Sequence, residues 1–131
     1  MGKIVYKDLS YKIIGVLFDV HKKLGNRYQE KYYQRAVEKG LKQNSLNFQK
    51  ELSVNLSYEG EKIGKYFLDF LIEGIIVLEI KAVPHLKRVD FDQVLAYLKA
   101  KNLQLGILAN FRPTSLIYRR VLNSDFIRKN S

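Results

Sequence analysis

The sequence contains no cysteine and no tryptophan, and only two prolines and one methionine. Without cysteine the chain can form no disulfide, no zinc–thiolate site and no thiol nucleophile, so we expect a reducing compartment, the cytoplasm. The longest apolar run, residues 75–78, is far too short to cross a bilayer, and residues 1–8 lack the apolar stretch of a signal peptide. These absences exclude a secreted disulfide scaffold and predict that the membrane is not a partner.

Two further function classes lack their signatures. His21 and His85 are the only histidines, and no Ser-His-Asp arrangement or metal-ligand spacing can be built around either of them. A glycine-rich phosphate loop is absent too. Serine-hydrolase chemistry and ATP-driven work are therefore not expected.

Positive charge is in excess, with 23 Lys and Arg against 13 Asp and Glu, which gives a net charge of +10. An excess of this size attracts polyanions and makes binding to them depend on salt. Nucleic acid is therefore the expected partner, although many small domains are basic for solubility alone.

The apolar pattern predicts one domain over residues 1–131, with a core over about residues 9–122, because no repeat or linker interrupts the chain. Apolar residues recur at helical spacing in three segments, residues 9–24, 29–41 and 89–101. In the first helix Gly25 is the expected stop. In the second, the inward stripe is Tyr33, Ala36, Val37 and Leu41.

Between the second and third helices the pattern changes to that of strands. Segments rich in β-branched and aromatic residues, separated by two Glu-Gly turns, predict an antiparallel meander over residues 48–52, 54–58, 65–72 and 75–83. Residues 105–109 predict a buried strand, and residues 116–122 another strand or a final helix. Helices on both sides of a meander, with a crossover to a further strand, predict an α/β fold with a mixed central sheet.

Three charged residues interrupt strands that are otherwise apolar: Asp69, Glu79 and Lys81. Strand periodicity places Glu79 and Lys81 on one face, and Asp69 can oppose Glu79 across an odd loop of residues 73–75. Two carboxylates and an ammonium on one patch can bind Mg²⁺ or Mn²⁺ and orient or deprotonate water, which predicts a hydrolytic site. The same residues are also compatible with a solvated edge strand, or with an ion pair that holds the hairpin.

The helices offer further candidates for this patch. Glu30 shares the inward stripe of the second helix with Tyr33, so its carboxylate is expected to reach the site; the alternative is a first-turn acid that points to water. Gln93 and Tyr97 are four residues apart and share a face of the third helix. Gln93 is a candidate to hold water or phosphate, or else ordinary surface, and Tyr97 is alternatively a core residue.

In order and spacing these motifs resemble the GxxExxY proteins of the PD-(D/E)xK nuclease superfamily, over residues 9–122. The resemblance rests on Leu24-Gly25, on Glu30 to Tyr33, and on residues 66–69, 78–83, 92–99 and 105–111. Two positions depart from the pattern. Arg27 stands at the glycine of the signature, which puts the loop before the second helix in question, and Leu68 replaces the proline of the PD pair.

The resemblance implies a restriction-endonuclease-like core and a metal-dependent nuclease. It implies that Asp69 and Glu79 bind Mg²⁺ or Mn²⁺, with the carbonyl of Ile80 a candidate third ligand. By the same resemblance Lys81 activates water or stabilises the transition state, and Glu30 is the helix acid of the signature. Gln93 and Tyr97 resemble the QxxxY element, which supports the site or contacts the strand.

The leading hypothesis is hydrolysis of phosphodiester bonds in nucleic acid, with DNA favoured over RNA and Glu30 completing a second metal or water position. Basic residues expected to hold flanking phosphates are Arg27, Lys87, Arg88, Lys99, Lys101, Arg112, Arg119 and Arg120. The alternative is a nucleic-acid-binding or protein-interaction module of this fold that cleaves nothing by itself. A third hypothesis is hydrolysis of a small phosphoester such as a nucleotide. The sequence leaves open a homodimer or a partner protein.

Overall fold

The computed structural model describes residues 4–128, and over that range the chain forms three helices and five strands. The helices are α1 (Lys7–Leu24), α2 (Glu30–Gln43) and α3 (Arg88–Lys101). The strands are β1 (Phe48–Tyr58), β2 (Glu61–Ile72), β3 (Ile76–Lys81), β4 (Leu105–Asn110) and β5 (Ile117–Leu122). The three predicted helices are confirmed with slightly different ends. Within the described range no helix has the length and apolarity needed to cross a membrane.

The strand predictions need two corrections. Residues 48–52 and 54–58 belong to one strand, because Ser53 between them pairs with Phe67 of β2; the pairing also continues on both sides of Glu51, which has a φ of 57°. β3 ends at Lys81 and not at Val83, because the backbone N–H of Val83 donates to the side chain of Asn110. Residues 117–122 form a strand, which decides between the two alternatives for that segment.

The five strands form one mixed sheet in the order β1-β2-β3-β4-β5. β1, β2 and β3 are the predicted antiparallel meander, β3 and β4 are parallel, and β5 is antiparallel to β4. A parallel neighbour requires a crossover, and α3 supplies it between β3 and β4. Gly60 and Gly74 follow glutamates at the two hairpin turns and have φ values of 82° and 71°, which favour glycine.

Helices cover both faces of the sheet. α1 and α2 pack on one face through a cluster that includes Leu17 and Phe111, together with the predicted stripe of Tyr33, Val37 and Leu41; Ala36 is half-buried beside it. α3 packs on the other face in a second cluster, which includes Val77, Val94, Leu98 and Leu108. β3 is therefore buried on both sides, and a charged residue on it lies in the interior.

Candidate active site

The hydrogen-bonded pairing of β2 and β3 ends at Phe70↔Leu78. Beyond this pair the strands separate at Asp69 and Glu79, and we call this place the fork. The two carboxylates form the hydrogen bonds there. Continued register places Asp69 opposite Glu79, as the loop parity predicts. The backbone N–H of Ile80 donates to Asp69 Oδ2 at 2.7 Å, and the N–H of Asp69 donates to Glu79 Oε1 at 3.0 Å. Side chains thus replace the next rung of the ladder, and both carboxylates are fixed by backbone.

β2 also changes the side that it buries at this point. Leu68 packs in the cluster of α3, whereas Phe70 packs in the cluster of α1 and α2. Glu51, the β1 residue across from Asp69, has the left-handed φ noted above. Asp69 lies at the changeover, so its carboxylate is enclosed by neither apolar cluster and faces the fork.

Lys81 lies among oxygen acceptors. Its Nζ is 3.1 Å from Glu79 Oε2, 3.2 Å from Gln93 Oε1 and 3.9 Å from Asp90 Oδ1. Burial opposes a charge on Lys81, but the neighbouring carboxylates, Glu79 first among them, outweigh it and raise the pKa of this side chain. The Lys81–Glu79 ion pair suggested by the sequence is present. The alternative of a solvated edge strand is wrong, because Glu79 is only 4% exposed and β3 lies in the middle of the sheet.

Asp69 and Glu79 repel each other in this buried position. Burial, and then the charge of Asp69, raises the pKa of Glu79 from the ordinary 4.5 to about 8, against the opposing pull of Lys81. Burial also raises the pKa of Asp69, against the hydrogen bond from the N–H of Ile80. Burial and proximity therefore favour the binding of a proton or a cation by this pair of carboxylates.

α2 adds two polar side chains at the fork. Gln34 Nε2 donates to Asp69 Oδ1 at 2.8 Å and to Glu30 Oε2 at 3.3 Å. Glu30 is half-buried, and its carboxylate faces the backbone N–H of Ala82. Burial raises the pKa of Glu30, and the charge of Asp69 adds to that effect against the pull of Lys81. Glu30 therefore reaches the predicted patch, and the alternative in which it points to water is wrong.

Gln34 and Asp90 were not predicted from the sequence. Gln34 lies four residues after Glu30, so helical spacing places both on one face, and this signal was available. Asp90 gives no such signal, because it is a first-turn acid whose Oδ2 accepts from the backbone N–H of Lys87 at 2.8 Å, as a helix cap does. Its second oxygen approaches Lys81 only through the tertiary fold.

α3 brings Gln93, but not the ring of Tyr97, to this centre. Gln93 accepts from Lys81 through Oε1, and its Nε2 donates to the carbonyl oxygen of Phe67. Tyr97 is 5% exposed and packs with Val94 and Leu98 in the second cluster. Its position is that of the core alternative, so a stacking contact with nucleic acid would require this ring to leave the core.

The predicted phosphate-binding residues differ in exposure and in the ion pairs that they form. Arg27 and Arg112 are exposed, and the Asn26 side chain, which donates to the Arg112 carbonyl at 2.9 Å, joins their two loops. The other exposed candidates are Lys87, Arg88, Lys99, Lys101 and Arg119. Arg88 lies 3.9 Å from Asp92, and Lys99 lies 3.6 Å from Asp125.

Arg120 is the exception among these basic residues. Its guanidinium donates to the backbone carbonyl of Val5 at 2.6 Å and to Ser10 Oγ at 3.0 Å, and Ser10 is fully buried. Arg120 therefore ties β5 to the start of α1 with two of its five N–H groups, and a phosphate contact through the others stays a prediction.

The donor chemistry of the fork suits a hard divalent cation. Asp69, Glu79 and Glu30 supply carboxylate oxygens, which Mg²⁺ and Mn²⁺ prefer. The N–H of Ile80 points to Asp69, and the carbonyl of a strand residue points to the same side as its N–H, so the Ile80 carbonyl also faces the fork. Between residues 4 and 128 no three acidic or histidine side chains form a complete metal site by themselves. A bound cation would thus depend on carbonyl and water oxygens as well.

Comparison with known proteins agrees with this architecture. A family model described as the PD-(D/E)XK nuclease superfamily matches residues 7–121, which include every residue of the fork. Among solved structures, one titled "Crystal structure of SSO0001" is 20% identical, with a TM-score of 0.51, and the match covers 93% of this chain and 78% of that one. At this identity the likeness shows the fold alone, a mixed sheet flanked by helices. With the family match, this is a restriction-endonuclease-like fold. No match was found among curated proteins.

Proposed function

Since the chain belongs to the PD-(D/E)XK nuclease superfamily, we propose that it hydrolyses phosphodiester bonds of nucleic acid with the help of Mg²⁺ or Mn²⁺. Within the superfamily we assign it to the GxxExxY proteins, as one domain with its core at residues 9–122. Glu30 and Tyr33 support this finer assignment, because one reaches the fork and the other anchors α2 in the core.

One observation carries the proposal, the convergence of Asp69, Glu79 and Lys81 at a fork in an otherwise apolar sheet. Buried charges destabilise a fold unless they are compensated, and a purely structural sheet has no need for them at this position. Perturbed, clustered titratable groups of this kind are typical of active sites. The half-buried Glu30 and the bridging Gln34 extend the cluster on the side of α2.

The roles that we propose follow from these contacts. Asp69, Glu79 and the Ile80 carbonyl would hold a divalent cation, which would supply Lewis acidity for phosphodiester hydrolysis. Lys81 donates to a phosphate oxygen or to the attacking water and offsets the negative charge that develops. Gln93 is a positioning residue, because it holds the Lys81 ammonium. Glu30 completes a second cation or water position.

The substrate that we propose is nucleic acid, with DNA favoured over RNA. The net charge of +10 supports a polyanionic partner, and the exposed Arg27 and Arg112 are placed together by their loops. Phosphate contacts from such residues position a strand without reading its sequence.

A cleavage assay on single- and double-stranded DNA and RNA, with Mg²⁺ or Mn²⁺, tests the proposal. Lys81→Met is expected to lower the cleavage rate by about a hundredfold or more while binding is kept. The matched control is Lys22→Met, the same change at an exposed position of α1, which should leave the rate unchanged. Equal cleavage by the intact protein and Lys81→Met would overturn the assignment.

The competing function is a binding module that does not cleave. It is favoured by one observation, that the described residues contain no group of three side-chain ligands for a metal. Salt-sensitive binding to nucleic acid without turnover in either metal would establish it. Turnover of small phosphodiesters, with polynucleotides left intact, would instead point to a nucleotide hydrolase.

A further inference from the structure

An exposed row of aromatic and basic side chains runs along the start of α2. It consists of Lys31, Tyr32 and Arg35 on the helix and of Tyr28 in the loop just before it, and we call it the α2 stripe. Tyr28 and Tyr32 are 47% and 42% exposed. The adjacent row of the same helix contains Glu30 and Gln34, which face Asp69. The stripe therefore lies within a helical turn of the proposed active site.

The buried Tyr33 anchors the backbone that carries the two exposed rings. The Tyr33 hydroxyl donates to the carbonyl of Gly25 at 2.6 Å and accepts from the N–H of Tyr28 at 3.3 Å, and its ring stacks on Phe111 with centroids 4.6 Å apart. The rings of Tyr28 and Tyr32 are 6.2 Å apart between centroids. Part of each ring stays open to solvent on an anchored backbone, so the aromatic surface is preformed.

The cations of the stripe have no acidic partner within residues 4–128. Lys31 Nζ lies 5.2 Å from the centre of the Tyr32 ring, and the Arg35 guanidinium carbon lies 5.8 Å from it. Neither side chain takes part in any of the ion pairs of the described residues. Both are therefore available to an anion that approaches Tyr32.

A cleft of about 250 Å³ leads from the stripe to the fork, between α2 and the hairpin of β1 and β2. Lys31 and Arg35 line one part of it, and Gln34 and Asp69 line another. Across the cleft, Lys50 is paired with Glu38 at 3.0 Å. Its volume lies just below the range of about 300–1,000 Å³ typical of small-molecule pockets, so the cleft is too small for a base pair.

Aromatic faces beside unpaired cations are suited to unpaired bases, because a base stacks on the ring while its phosphates meet the cations. A duplex hides the faces of its bases within its own stack and cannot use Tyr28 or Tyr32 in this way. We propose that the α2 stripe binds single-stranded nucleic acid, DNA or RNA, and leads the strand through the cleft to Asp69. This inference rests on the proposed nuclease function, for which it names the substrate class.

Binding measured in a chelator tests the inference separately from cleavage, because no turnover is needed. The probes are fluorescent oligothymidylate, oligouridylate, a duplex of the same length, and an oligonucleotide without bases. Tyr32→Leu should weaken binding of at least one of the two normal single strands by about tenfold. Tyr32→Phe, which keeps the aromatic face, should bind as the intact protein does. The matched control is Tyr11→Leu, at another exposed tyrosine beside a lysine, on α1.

The strand without bases separates stacking from charge. Tyr32→Leu should leave its binding unchanged, whereas Arg35→Gln should weaken binding of both kinds of strand. Thermal unfolding and circular dichroism show whether each variant is folded. Tyr32→Phe, which removes only the hydroxyl, is the variant that disturbs the fold least.

Three results would overturn the inference: equal loss of binding in Tyr32→Leu and Tyr11→Leu, equal loss on strands with and without bases, or tighter binding of the duplex than of either single strand. Metal-dependent cleavage that is confined to duplex would also overturn it and leave the nuclease intact. Binding that follows the predictions without any cleavage would instead remove the nuclease function and keep the stripe.

Discussion

Asp69 and Glu79 bond with their side chains where other residues of a β-ladder bond with their backbones. Each carboxylate accepts a backbone N–H from the opposite strand, so the two negative groups are held together by the fold itself. Burial, and then the charge of Asp69, raises the pKa of Glu79, and Lys81 compensates these effects only in part. Without a cation this centre therefore weakens the folded state, as binding sites often do.

The stability of the cation-free protein should depend on pH for this reason. The pKa of Glu79 is about 8 in the folded protein against an ordinary 4.5, so the folded state binds more protons between these values. Stability should then be highest below pH 4.5, as far as this group decides it, and should be lost as the pH rises through about 8. Thermal unfolding in a chelator at several pH values measures this loss.

Asp69→Asn is the matched variant for this measurement. The amide oxygen can still accept from the N–H of Ile80, and a flip of the Gln34 amide restores the second hydrogen bond. Because the negative charge beside Glu79 is gone, the pKa of Glu79 should move towards its ordinary value and the loss of stability with pH should become smaller. An unchanged pH profile in Asp69→Asn would contradict the proposed repulsion.

Strand parity made Asp69, Glu79 and Lys81 predictable from the sequence, because charges in apolar strands stand out and the loop length fixes which residues oppose each other. The partners of these residues were less accessible. Asp90 reaches Lys81 only after α3 has folded onto the sheet, and the burial of Tyr97 depends on the same packing. A contact between a helix and a strand that are distant in the chain has no periodic pattern in the sequence that would predict it.

α3 sets the position of Gln93 through its packing on β4. Gly106 lies under Val94, the residue after Gln93, and a β-carbon at Gly106 would be 2.4 Å from Val94 Cγ1. Real side chains do not approach so closely, so a larger residue at Gly106 requires the Val94 side chain, and α3 with it, to shift. The glycine thus permits the close contact that brings Gln93 within hydrogen-bonding distance of Lys81.

Gly106→Ala is therefore expected to lower the free energy of unfolding by about 1–3 kcal/mol. Cleavage should also fall, because the shift of α3 withdraws Gln93 from Lys81. Removing the obstructing methyl groups in Gly106→Ala/Val94→Ala should recover part of both. The control is Gly64→Ala, where the nearest side-chain atom would be an ordinary 3.7 Å away. Thermal unfolding and cleavage rates measure the effects, and equal behaviour of Gly106→Ala and Gly64→Ala would refute them.

The elements themselves were largely predictable, since the helices have regular apolar stripes and Glu-Gly turns separate the strands. The exceptions have physical causes. A short apolar run such as residues 117–122 fits a strand or a helix equally well by periodicity, and only its pairing with β4 decides. The predicted segments 48–52 and 54–58 are separated only at Ser53, a polar residue that pairs with Phe67 and keeps β1 continuous.

The charge of the whole molecule adds an attraction that does not depend on sequence. With a net charge of +10, the protein should bind nucleic acid more weakly as salt rises, because each phosphate contact releases condensed counterions. Arg27 and Arg112 are the exposed pair whose loops are joined, which makes them candidates for such contacts beyond the α2 stripe.

Arg27→Gln and Arg112→Gln should each reduce the slope of log affinity against log salt by roughly 0.7 on single strands. Lys22→Gln removes a charge from an exposed position of α1 and should leave the slope unchanged. Fluorescence anisotropy over a range of salt concentrations supplies these slopes. If all three variants lose the same amount, the attraction comes from net charge and not from contacts at the two loops.

We propose that the fork of Asp69, Glu79 and Lys81 cleaves nucleic acid when it holds a divalent cation. The most direct measurement is the cleavage rate as a function of Mg²⁺ concentration, for the intact protein and for Asp69→Asn purified in parallel. We expect no cleavage in a chelator, a rate that rises and saturates with Mg²⁺ in the intact protein, and a loss of about a hundredfold or more in Asp69→Asn. Cleavage that persists in the chelator, or that is undiminished in Asp69→Asn, would contradict it.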